Sequence, residues 1–382
     1  METRTDVLVV GLGVTGAALC HELARRGADV VGVDRHEPPH GLGASHGRSR
    51  IIREAYFEHP LYVPLVQRAY ELWAELEELT GAVLYRRTGG LMVGPADGRL
   101  VTGSLASARD HGLPHEMLDA GAIRSRFPGL HPEADWVGVF EPRAGALMPE
   151  LCVRTLLDLA RGHGAVVHTG TSVDDWRVVD DGDVVVGTSA GTIRARRLVL
   201  AAGPWMNAAL AMERGPALQL PFAVERQVSH WFAPGPGLHA FRPDSCPVVI
   251  WEYGVNRLFY TFPDLGHGVK AGIHHEGIPA DPDTVDRVVG MGEEQRMRRL
   301  LDAYMPGAAH TALTAEVCLY TNTPDGDFVI DRHPQLEQVM LVSACSGHGF
   351  KFAPAVAEVV VDELLEGGSA FDLEPFRVSR LL

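Results

Sequence analysis

The sequence predicts a two-domain protein of the α/β class, in which one domain is a parallel sheet flanked by helices and the other is built on an antiparallel sheet. Three observations predict this arrangement. A strand–glycine turn–helix–strand unit opens the chain, aromatic-rich strands joined by short turns occupy its middle, and a second strand–glycine turn–helix unit closes it. The length of 382 residues is sufficient for two hydrophobic cores.

The opening unit has the pattern of a phosphate-binding turn. Residues 7–10 are a short apolar run, typical of a buried parallel strand, and glycines follow at three fixed positions. Gly11 allows a tight turn, Gly13 lets a phosphate approach the backbone, and Gly16 lets the next helix pack close to the strand. This spacing is typical of a Rossmann-like fold.

The elements after the glycines extend the same pattern. A helix is predicted over residues 14–26, and its N-terminal N–H groups suit a pyrophosphate. A second apolar strand, residues 30–33, leads to Asp34, whose carboxylate can accept hydrogen bonds from both ribose hydroxyls of an adenosine. The motif predicts a dinucleotide cofactor, although by itself it does not separate FAD from NAD.

Composition and charge exclude several classes of function. Apolar residues make up 46% and charged residues 22%, which is typical of a soluble globular protein, and the net charge of −15 argues against nucleic-acid binding. No apolar run approaches the length of a membrane span, and the first residues lead directly into a strand, so neither a membrane segment nor a signal peptide is predicted. The five cysteines are scattered and form no CxxC pair, which predicts no metal site and a reducing cytoplasm.

A basic loop follows Asp34. It is rich in proline and glycine, and it contains His46, Arg48, Arg50 and Arg53. Such a loop leaves the carboxyl end of a strand, where ligands bind in open α/β sheets. Two interpretations stay open: a solvated basic turn, or part of a site beside the nucleotide.

The remaining elements suggest that the two domains are interleaved along the chain. Helices are predicted at 60–80, 150–162 and 354–365, and strands at 165–168, 173–179, 184–188, 197–205, 248–253, 257–262, 269–274 and 339–344. The prediction is a nucleotide-binding domain of residues 1–84, 150–215 and 316–382, and a substrate domain of residues 85–149 and 216–315.

Lys270 and His274 fall on the same face of the strand predicted at 269–274, because successive strand residues alternate between faces. If that face covers a cofactor, the two residues form a site, and if it meets water they have no function. His275 is adjacent to His274, so either histidine could face the pocket.

Three separated motifs are similar to the signatures of one family. They are Ser-His-Gly-x-Ser-Arg-Ile-Ile-Arg at 45–53, Cys-Leu-Tyr-Thr-x-Thr-Pro-Asp at 318–325, and Ser-Gly-His-Gly-Phe-Lys-Phe at 346–352. With them, nearly the whole chain resembles the family of monomeric sarcosine oxidase and N-methyltryptophan oxidase, amine-oxidising flavoproteins of the D-amino-acid oxidase superfamily.

The resemblance implies FAD as the cofactor, covalently attached through a thioether from Cys318 to the flavin 8α-methyl group. It also implies a roof of antiparallel strands over the flavin. The implied cofactor-binding residues are Gly11, Gly13, Gly16, Asp34, Ser45, His46, Arg50, Cys318, Gly347, Gly349 and Lys351.

The same resemblance implies roles at the reacting end of the flavin. Arg53 and Lys351 would hold a substrate carboxylate, and Lys270 would activate dioxygen beside the flavin. Tyr260 and Tyr320 would line the pocket, and His274 would lie near the substrate amine.

The reaction that the resemblance implies is oxidation of a secondary amine, in an N-methyl or cyclic amino acid, with dioxygen reduced to hydrogen peroxide. The expected protein is a cytoplasmic monomer without membrane or nucleic-acid partners. Three alternatives stay open at this stage: a flavin dehydrogenase that passes electrons to a carrier protein, an NAD-dependent dehydrogenase, and a non-catalytic flavin-binding protein. A colourless purified protein would favour NAD, and a flavin that no amine bleaches would favour the non-catalytic alternative.

Overall fold

The structure is a computed structural model that describes residues 2–215 and 218–382. Its strands, in chain order, are β1 (Glu2–Val10), β2 (Val30–Val33), β3 (Arg50–Ile52), β4 (Tyr85–Arg87), β5 (Gly90–Gly94), β6 (Glu116–Asp119), β7 (Val137–Glu141), β8 (Gly145–Leu147), β9 (Val166–His168), β10 (Val173–Val178), β11 (Val184–Thr188), β12 (Gly191–Leu200), β13 (Ala223–Ala233), β14 (Val248–Gly254), β15 (Arg257–Phe262), β16 (Val269–His274), β17 (Ile278–Pro279), β18 (Thr311–Asn322), β19 (Val329–His333) and β20 (Leu336–Ser343).

The α-helices of the described residues lie between these strands, apart from the last, which follows β20. They are α1 (Val14–Arg25), α2 (Tyr62–Thr80), α3 (Arg99–Asp110), α4 (Ala120–Arg126), α5 (Pro149–Gly162), α6 (Met206–Ala211), α7 (Met291–Tyr304) and α8 (Ala353–Leu365). Within the described ranges, no helix has the length and apolar character needed to cross a membrane.

The first sheet carries the opening motif at its centre. Its strand order is β10-β11-β12-β1-β2-β9. Strand β20 pairs with the end of β12, on the edge opposite β1, and also pairs with β19. Strand β1 pairs in parallel with both β12 and β2, as predicted for a Rossmann-like unit. Helix α1 packs beside α5 and α8 on one face, where the glycine turn brings it close to the sheet.

Gly16 shows why this turn requires glycine. A Cβ atom at this position would lie 1.8 Å from the carbonyl oxygen of Gly11, far inside van der Waals contact. Gly11 itself has φ of 91°, in the left-handed region that favours glycine. The turn is therefore fixed by the sequence at both positions.

The second sheet is mostly antiparallel. Its order is β17-β13-β16-β15-β14-β5-β7-β6, and β18 pairs with β13 along nearly its whole length. The predicted strands at 248–253, 257–262 and 269–274 are confirmed as β14, β15 and β16, which lie side by side. In a small third sheet, β3-β8-β4, Ile51 and Ala146 pack against Val248 and Phe262 of the second sheet.

Some predicted boundaries differ from the structure. The domain boundary placed at residue 316 falls inside β18, and all of this strand lies in the second sheet. The strand predicted at 197–205 ends at Leu200, because Gly203 has φ of 53° and begins a 3-10 turn. The division of the chain into domains stays a prediction.

Candidate functional site

A cavity of about 330 Å³ extends between the two sheets. It runs from the glycine turn after β1, along the loop after β2, to the ends of β15, β16 and β18 and the segment after β20. Nearly all the predicted site residues line it: Gly11, Gly13, Asp34, Ser45, Arg50, Arg53, Tyr260, Lys270, His274, Cys318, Tyr320, Gly347, Gly349 and Lys351. Gly16 and His46 do not line it: Gly16 packs against the Gly11 carbonyl inside the turn, and His46 contacts Glu316.

At the nucleotide end, Ser45 meets the start of α1. Its Oγ accepts a hydrogen bond of 3.0 Å from the N–H of Val14, and a Cβ on Gly13 would lie 3.1 Å from that oxygen. Asp34 is nearly buried, and its carboxylate accepts bonds of 2.8 Å from the N–H groups of Leu12 and His36. These bonds hold an anionic side chain at the end of β2, where a ribose would bind.

Cys318 lies among cations. The guanidinium of Arg50 is 3.4 Å from its sulfur. Burial acts to raise the pKa of the Cys318 thiol, but Arg50, His46 and Lys270 together lower it to about 7. A thiol with such a pKa is a thiolate for much of the time at neutral pH and is therefore a nucleophile.

His46 is one of the groups that stabilise the Cys318 thiolate. Its Nδ1 lies 3.3 Å from a carboxylate oxygen of Glu316. Burial acts to lower the pKa of His46, but the Cys318 sulfur and the Glu316 carboxylate raise it to about 9. The imidazole is therefore a cation at neutral pH, and Glu316 is a member of the site that sequence reasoning missed.

Lys270 is 1% exposed, and its ammonium group lies at the cavity wall. The Nζ atom donates to the carbonyl oxygens of Gly47, at 2.7 Å, and Ser49, at 2.8 Å. An ammonium has three protons, so one remains for a ligand. Burial, and then the nearby Arg50, hold the pKa of Lys270 well below the usual value of a lysine.

Arg53 is buried and paired. Its Nη2 donates to both carboxylate oxygens of Glu58, at 2.6 and 2.7 Å, and its guanidinium packs over the rings of Tyr56 and Phe57. Although burial acts to raise it, Arg53 holds the pKa of Glu58 below its usual value. Sequence reasoning missed Glu58, because its spacing from Arg53 matches neither a helix nor a strand period.

Lys351 belongs to a short hydrogen-bonded chain. Its Nζ donates to the carbonyl of His348, at 2.6 Å, and to the hydroxyl of Tyr56, at 3.3 Å. The Nε2–H of His348 donates to the Gly326 carbonyl, so its Nδ1 accepts from Tyr56, at 2.7 Å. Burial and then Arg53 lower the pKa of Lys351 to about 7, against the opposing effect of Glu58.

The remaining predicted residues close the same end of the cavity. His274 lines the cavity, and its Nδ1 lies 3.2 Å from the Tyr320 hydroxyl. His275 is 41% exposed in its side chain and pairs with Glu225, so His274 is the histidine of the main cavity. The Tyr260 hydroxyl shares a hydrogen bond of 3.0 Å with Ser229.

The segment after β20 presents two glycines to the cavity. A Cβ on Gly347 would lie 2.6 Å from the Tyr320 ring, and one on Gly349 would lie 1.8 Å from the carbonyl oxygen of Ala344. Both positions therefore exclude side chains and leave the backbone open to a ligand.

An extended cavity with a phosphate-binding turn at one end and buried cations and a reactive thiol at the other defines a dinucleotide-dependent oxidoreductase. The residues present fit FAD: the glycines admit a pyrophosphate, Asp34 suits a ribose, and the aromatic wall of Tyr260, Phe259 and Phe262 suits a flat ring.

Comparison with known proteins gives the family. Residues 6–363 match the FAD dependent oxidoreductase (DAO) family, and the chain belongs to it. The NAD-dependent alternative is thereby excluded.

Several relatives match over their full length. The chain is 42% identical to monomeric sarcosine oxidase of Streptomyces avermitilis over 385 aligned positions, covering 100% of this chain and 99% of the relative. It is 34% identical to N-methyl-L-tryptophan oxidase of Salmonella arizonae, covering 99% of each. Among solved structures, the open form of NikD, an amino acid oxidase essential for nikkomycin biosynthesis, has a TM-score of 0.84 at 25% identity, covering 98% of this chain and 97% of NikD.

The nucleotide end of the cavity is closed by contacts from the segment between β17 and α7. Asp283 forms an ion pair with Arg35 and accepts a bond of 2.7 Å from the indole N–H of Trp205. Arg35 in turn lies 4.5 Å from the Trp205 ring centroid, and both residues line the cavity. Arg287 donates to the loop carbonyls of residues 41 and 42, at 3.1 and 2.7 Å.

We expect Asp283→Ala to weaken FAD binding. Removal of this carboxylate frees both Arg35 and Trp205 from the cavity wall. Because the Asp283 side chain is about half exposed, the loss is roughly 1 kcal/mol, or about fivefold in the dissociation constant. FAD titration of apoprotein carrying Cys318→Ala measures it. Asp286→Ala, in the same segment, is the control; an equal effect of both variants would contradict the role of Asp283.

Proposed function

We propose that this protein is an FAD-dependent oxidase of secondary amines in amino acids, such as N-methylglycine or a related N-methyl or cyclic amino acid. The observation that carries the proposal is that Arg53, Lys351, His274 and Lys270 all line the cavity that also holds the glycine turn and Cys318. The relatives named sarcosine oxidase and N-methyltryptophan oxidase support it. The product is an imine, which hydrolyses to an aldehyde and an amine when the substrate is N-methylated.

Arg53 and Lys351 are proposed to bind the substrate carboxylate. The guanidinium offers a planar pair of donors, and the ammonium adds a point charge. The Arg53 guanidinium is paired with the Glu58 carboxylate. A substrate carboxylate therefore competes with Glu58 for the same guanidinium.

His274 is proposed to face the substrate amine. Burial, and then the adjacent His275, hold the pKa of His274 well below its usual value, so its ring is neutral at neutral pH. A neutral ring favours an uncharged amine beside it, which is the form with a lone pair. Bound FAD supplies the redox chemistry, accepting two electrons from the amine and delivering them to dioxygen.

Cys318 is proposed to carry FAD through a thioether to the 8α-methyl group. In this attachment the C–S bond would replace the thiol S–H bond and one methyl C–H bond, and both hydrogens would leave as protons. The two electrons released pass to dioxygen through the flavin. The position of Cys318 in the cavity wall and the lowered pKa of its thiol support the proposal.

We also propose that the protein acts as a monomer in the cytoplasm, with the nucleotide-binding and substrate domains divided as predicted, apart from strand β18. The name of the relative from Streptomyces avermitilis supports the monomer. Light scattering coupled to size exclusion tests this: the expected mass is that of one chain, 41.4 kDa, plus FAD.

The experiment that tests the function is anaerobic mixing of the holoenzyme with a panel of N-methyl and cyclic amino acids. Bleaching of the flavin absorbance by a secondary amino acid, and its slow or absent bleaching by the matching primary amino acid, is the expected result. A flavin that no member of the panel reduces would refute the proposal.

Arg53→Ala should weaken substrate binding by about one to two orders of magnitude, because hydrogen bonds to charged groups contribute roughly 1.5–3 kcal/mol. Anaerobic titration of the flavin measures the affinity. Glu58→Gln is the matched variant: it removes the competing carboxylate and should tighten binding. Unchanged affinity in Arg53→Ala, with the fold intact by circular dichroism, would rule out this role.

The affinity for a carboxylate ligand should fall as pH rises through about 7. Lys351 has its pKa lowered to about 7, so it loses its proton in this range and no longer attracts an anion. Binding of acetate, followed by the flavin spectrum between pH 6 and 9, measures this. In Lys351→Met the step near pH 7 should disappear; a step of the same size in that variant would assign the titration to another group.

A further inference from the structure

A second cavity adjoins the substrate end of the first. It has a volume of about 430 Å³ and shares Phe57, Glu58, His274 and His348 with the main cavity. Its other walls come from the start of α3, the β14–β15 hairpin and the turn after β18. The residues at its rim are exposed, so the second cavity opens to the surface beside the Arg53–Lys351 end of the main cavity.

The acidic side chains of this second cavity are already occupied. Both oxygens of Glu58 accept from Arg53, and both oxygens of Glu252 accept from the backbone N–H groups at the start of α3, at 2.9 and 3.2 Å. Asp325 pairs with Arg380 through both of its oxygens. None of these carboxylates has an oxygen without a partner for a cationic ligand.

Arg99 differs from them. It lines the second cavity at the start of α3, and across residues 2–215 and 218–382 its guanidinium has no hydrogen bond or ion pair. Its guanidinium carbon lies 5.9 Å from the centroid of the Phe57 ring, on the wall shared with the main cavity. A cation in the first turn of a helix opposes the helix dipole, so helix stability does not account for Arg99.

We propose that the second cavity is the subsite for the substrate side chain, and that it accepts an extended side chain ending in a carboxylate, which Arg99 binds. This inference rests on the proposed function, because it places the α-carboxylate at Arg53 and Lys351. N-methylglycine has no side chain and leaves the second cavity unused. The substrate class is then an N-alkylated dicarboxylic amino acid, such as N-methylglutamate.

The binding test needs no turnover. Isothermal titration of the holoenzyme compares dicarboxylates with monocarboxylates of equal chain length, from three to six carbons. At the length that spans the two sites, the dicarboxylate should bind about fivefold more tightly, since an exposed charge pair is worth no more than about 1 kcal/mol. Equal affinity across all lengths would overturn the proposal.

Variants at the two ends of α3 assign the effect to Arg99. Arg99→Ala should abolish the preference for the dicarboxylate and leave the affinity for the monocarboxylate unchanged. Arg109→Ala, an exposed arginine in the last turn of the same helix, should keep the preference. Loss of affinity for both ligands, or loss in both variants, would contradict a subsite at Arg99.

Turnover separates this inference from the proposed function. For N-methylglutamate, kcat/KM should fall about fivefold in Arg99→Ala, whereas for N-methylglycine it should not change. If no secondary amino acid reduces the flavin, the proposed function fails whatever the dicarboxylate titration shows. If N-methylglycine is oxidised but N-methylglutamate is no better in wild type than in Arg99→Ala, the subsite fails and the proposed function stands.

Discussion

Wild-type protein precipitated with acid is expected to stay yellow, with an intact mass greater than that of the chain by one FAD. Cys318→Ala is expected to release all its flavin under the same treatment. The physical reason is the thiolate at Cys318, which Arg50, His46 and Lys270 stabilise against burial. Absorbance of the washed precipitate and intact-mass spectrometry are the two measurements.

Cys345 provides a matched control for this prediction. It also lines the cavity, but burial raises the pKa of its thiol, and its sulfur accepts a hydrogen bond from Thr321. Cys345→Ala should keep the flavin attached. Flavin that washes out of the wild type, or out of Cys345→Ala alone, would disprove attachment at Cys318.

The rate of attachment should depend on pH. When apoprotein is mixed with FAD, the rate should rise with pH up to about 7 and then level off, because the pKa of Cys318 is about 7 and only the thiolate is the nucleophile. Replacement of Arg50 by Met removes a cation that lowers this pKa, and the same rise should then occur at higher pH. A flat profile in the wild type would indicate that another step limits attachment.

Lys270→Met is expected to slow reoxidation of the reduced enzyme by about two to three orders of magnitude, as removal of a preorganised donor does at other buried charge-developing sites. Electron transfer to dioxygen builds negative charge beside the flavin, and a buried ammonium stabilises that charge strongly. Anaerobic flavin reduction should slow much less, because the reacting amine is neutral. Stopped-flow measurement of each half-reaction separates the two effects.

Lys270→Gln is the control for structure at this position. An amide N–H₂ can still donate to the Gly47 and Ser49 carbonyls, so the loop keeps its bonds while the charge is lost. Reoxidation should be slow in this variant too. If the Lys270 variants slow both half-reactions equally, or slow neither of them, the role in oxygen activation is refuted. If reoxidation is already slow in the wild type, a dehydrogenase that passes electrons to a carrier protein is favoured.

Reoxidation of the reduced flavin should be faster at low pH than at high pH. Burial holds the pKa of Lys270 well below the usual value of a lysine, so the ammonium form is lost as pH rises through that lowered pKa. The rate should therefore decline with rising pH in the wild type and show no such decline in Lys270→Met.

The sequence by itself determined the elements whose geometry is local. Gly11 and Gly16 fix the turn after β1, because Gly11 has a left-handed backbone and a Cβ at Gly16 would clash with the Gly11 carbonyl. Asp34 follows β2 at a spacing that the strand–helix–strand unit sets. The separation of Lys270 from His274 along one strand predicted that both would face one side, and both line the cavity. The resemblance of three motifs gave the family, which the comparisons confirmed.

Only the tertiary structure decided the contacts between distant segments. It joined β18 to the second sheet despite the boundary predicted at residue 316, brought Glu316 beside His46, and brought Asp283 against Arg35. Helix and strand periods describe the faces of one element, whereas these contacts depend on how elements pack in three dimensions. The lowered pKa of Cys318 arises in the same way, since burial and the cations around it come from segments far apart in the chain, and no local pattern encodes their sum.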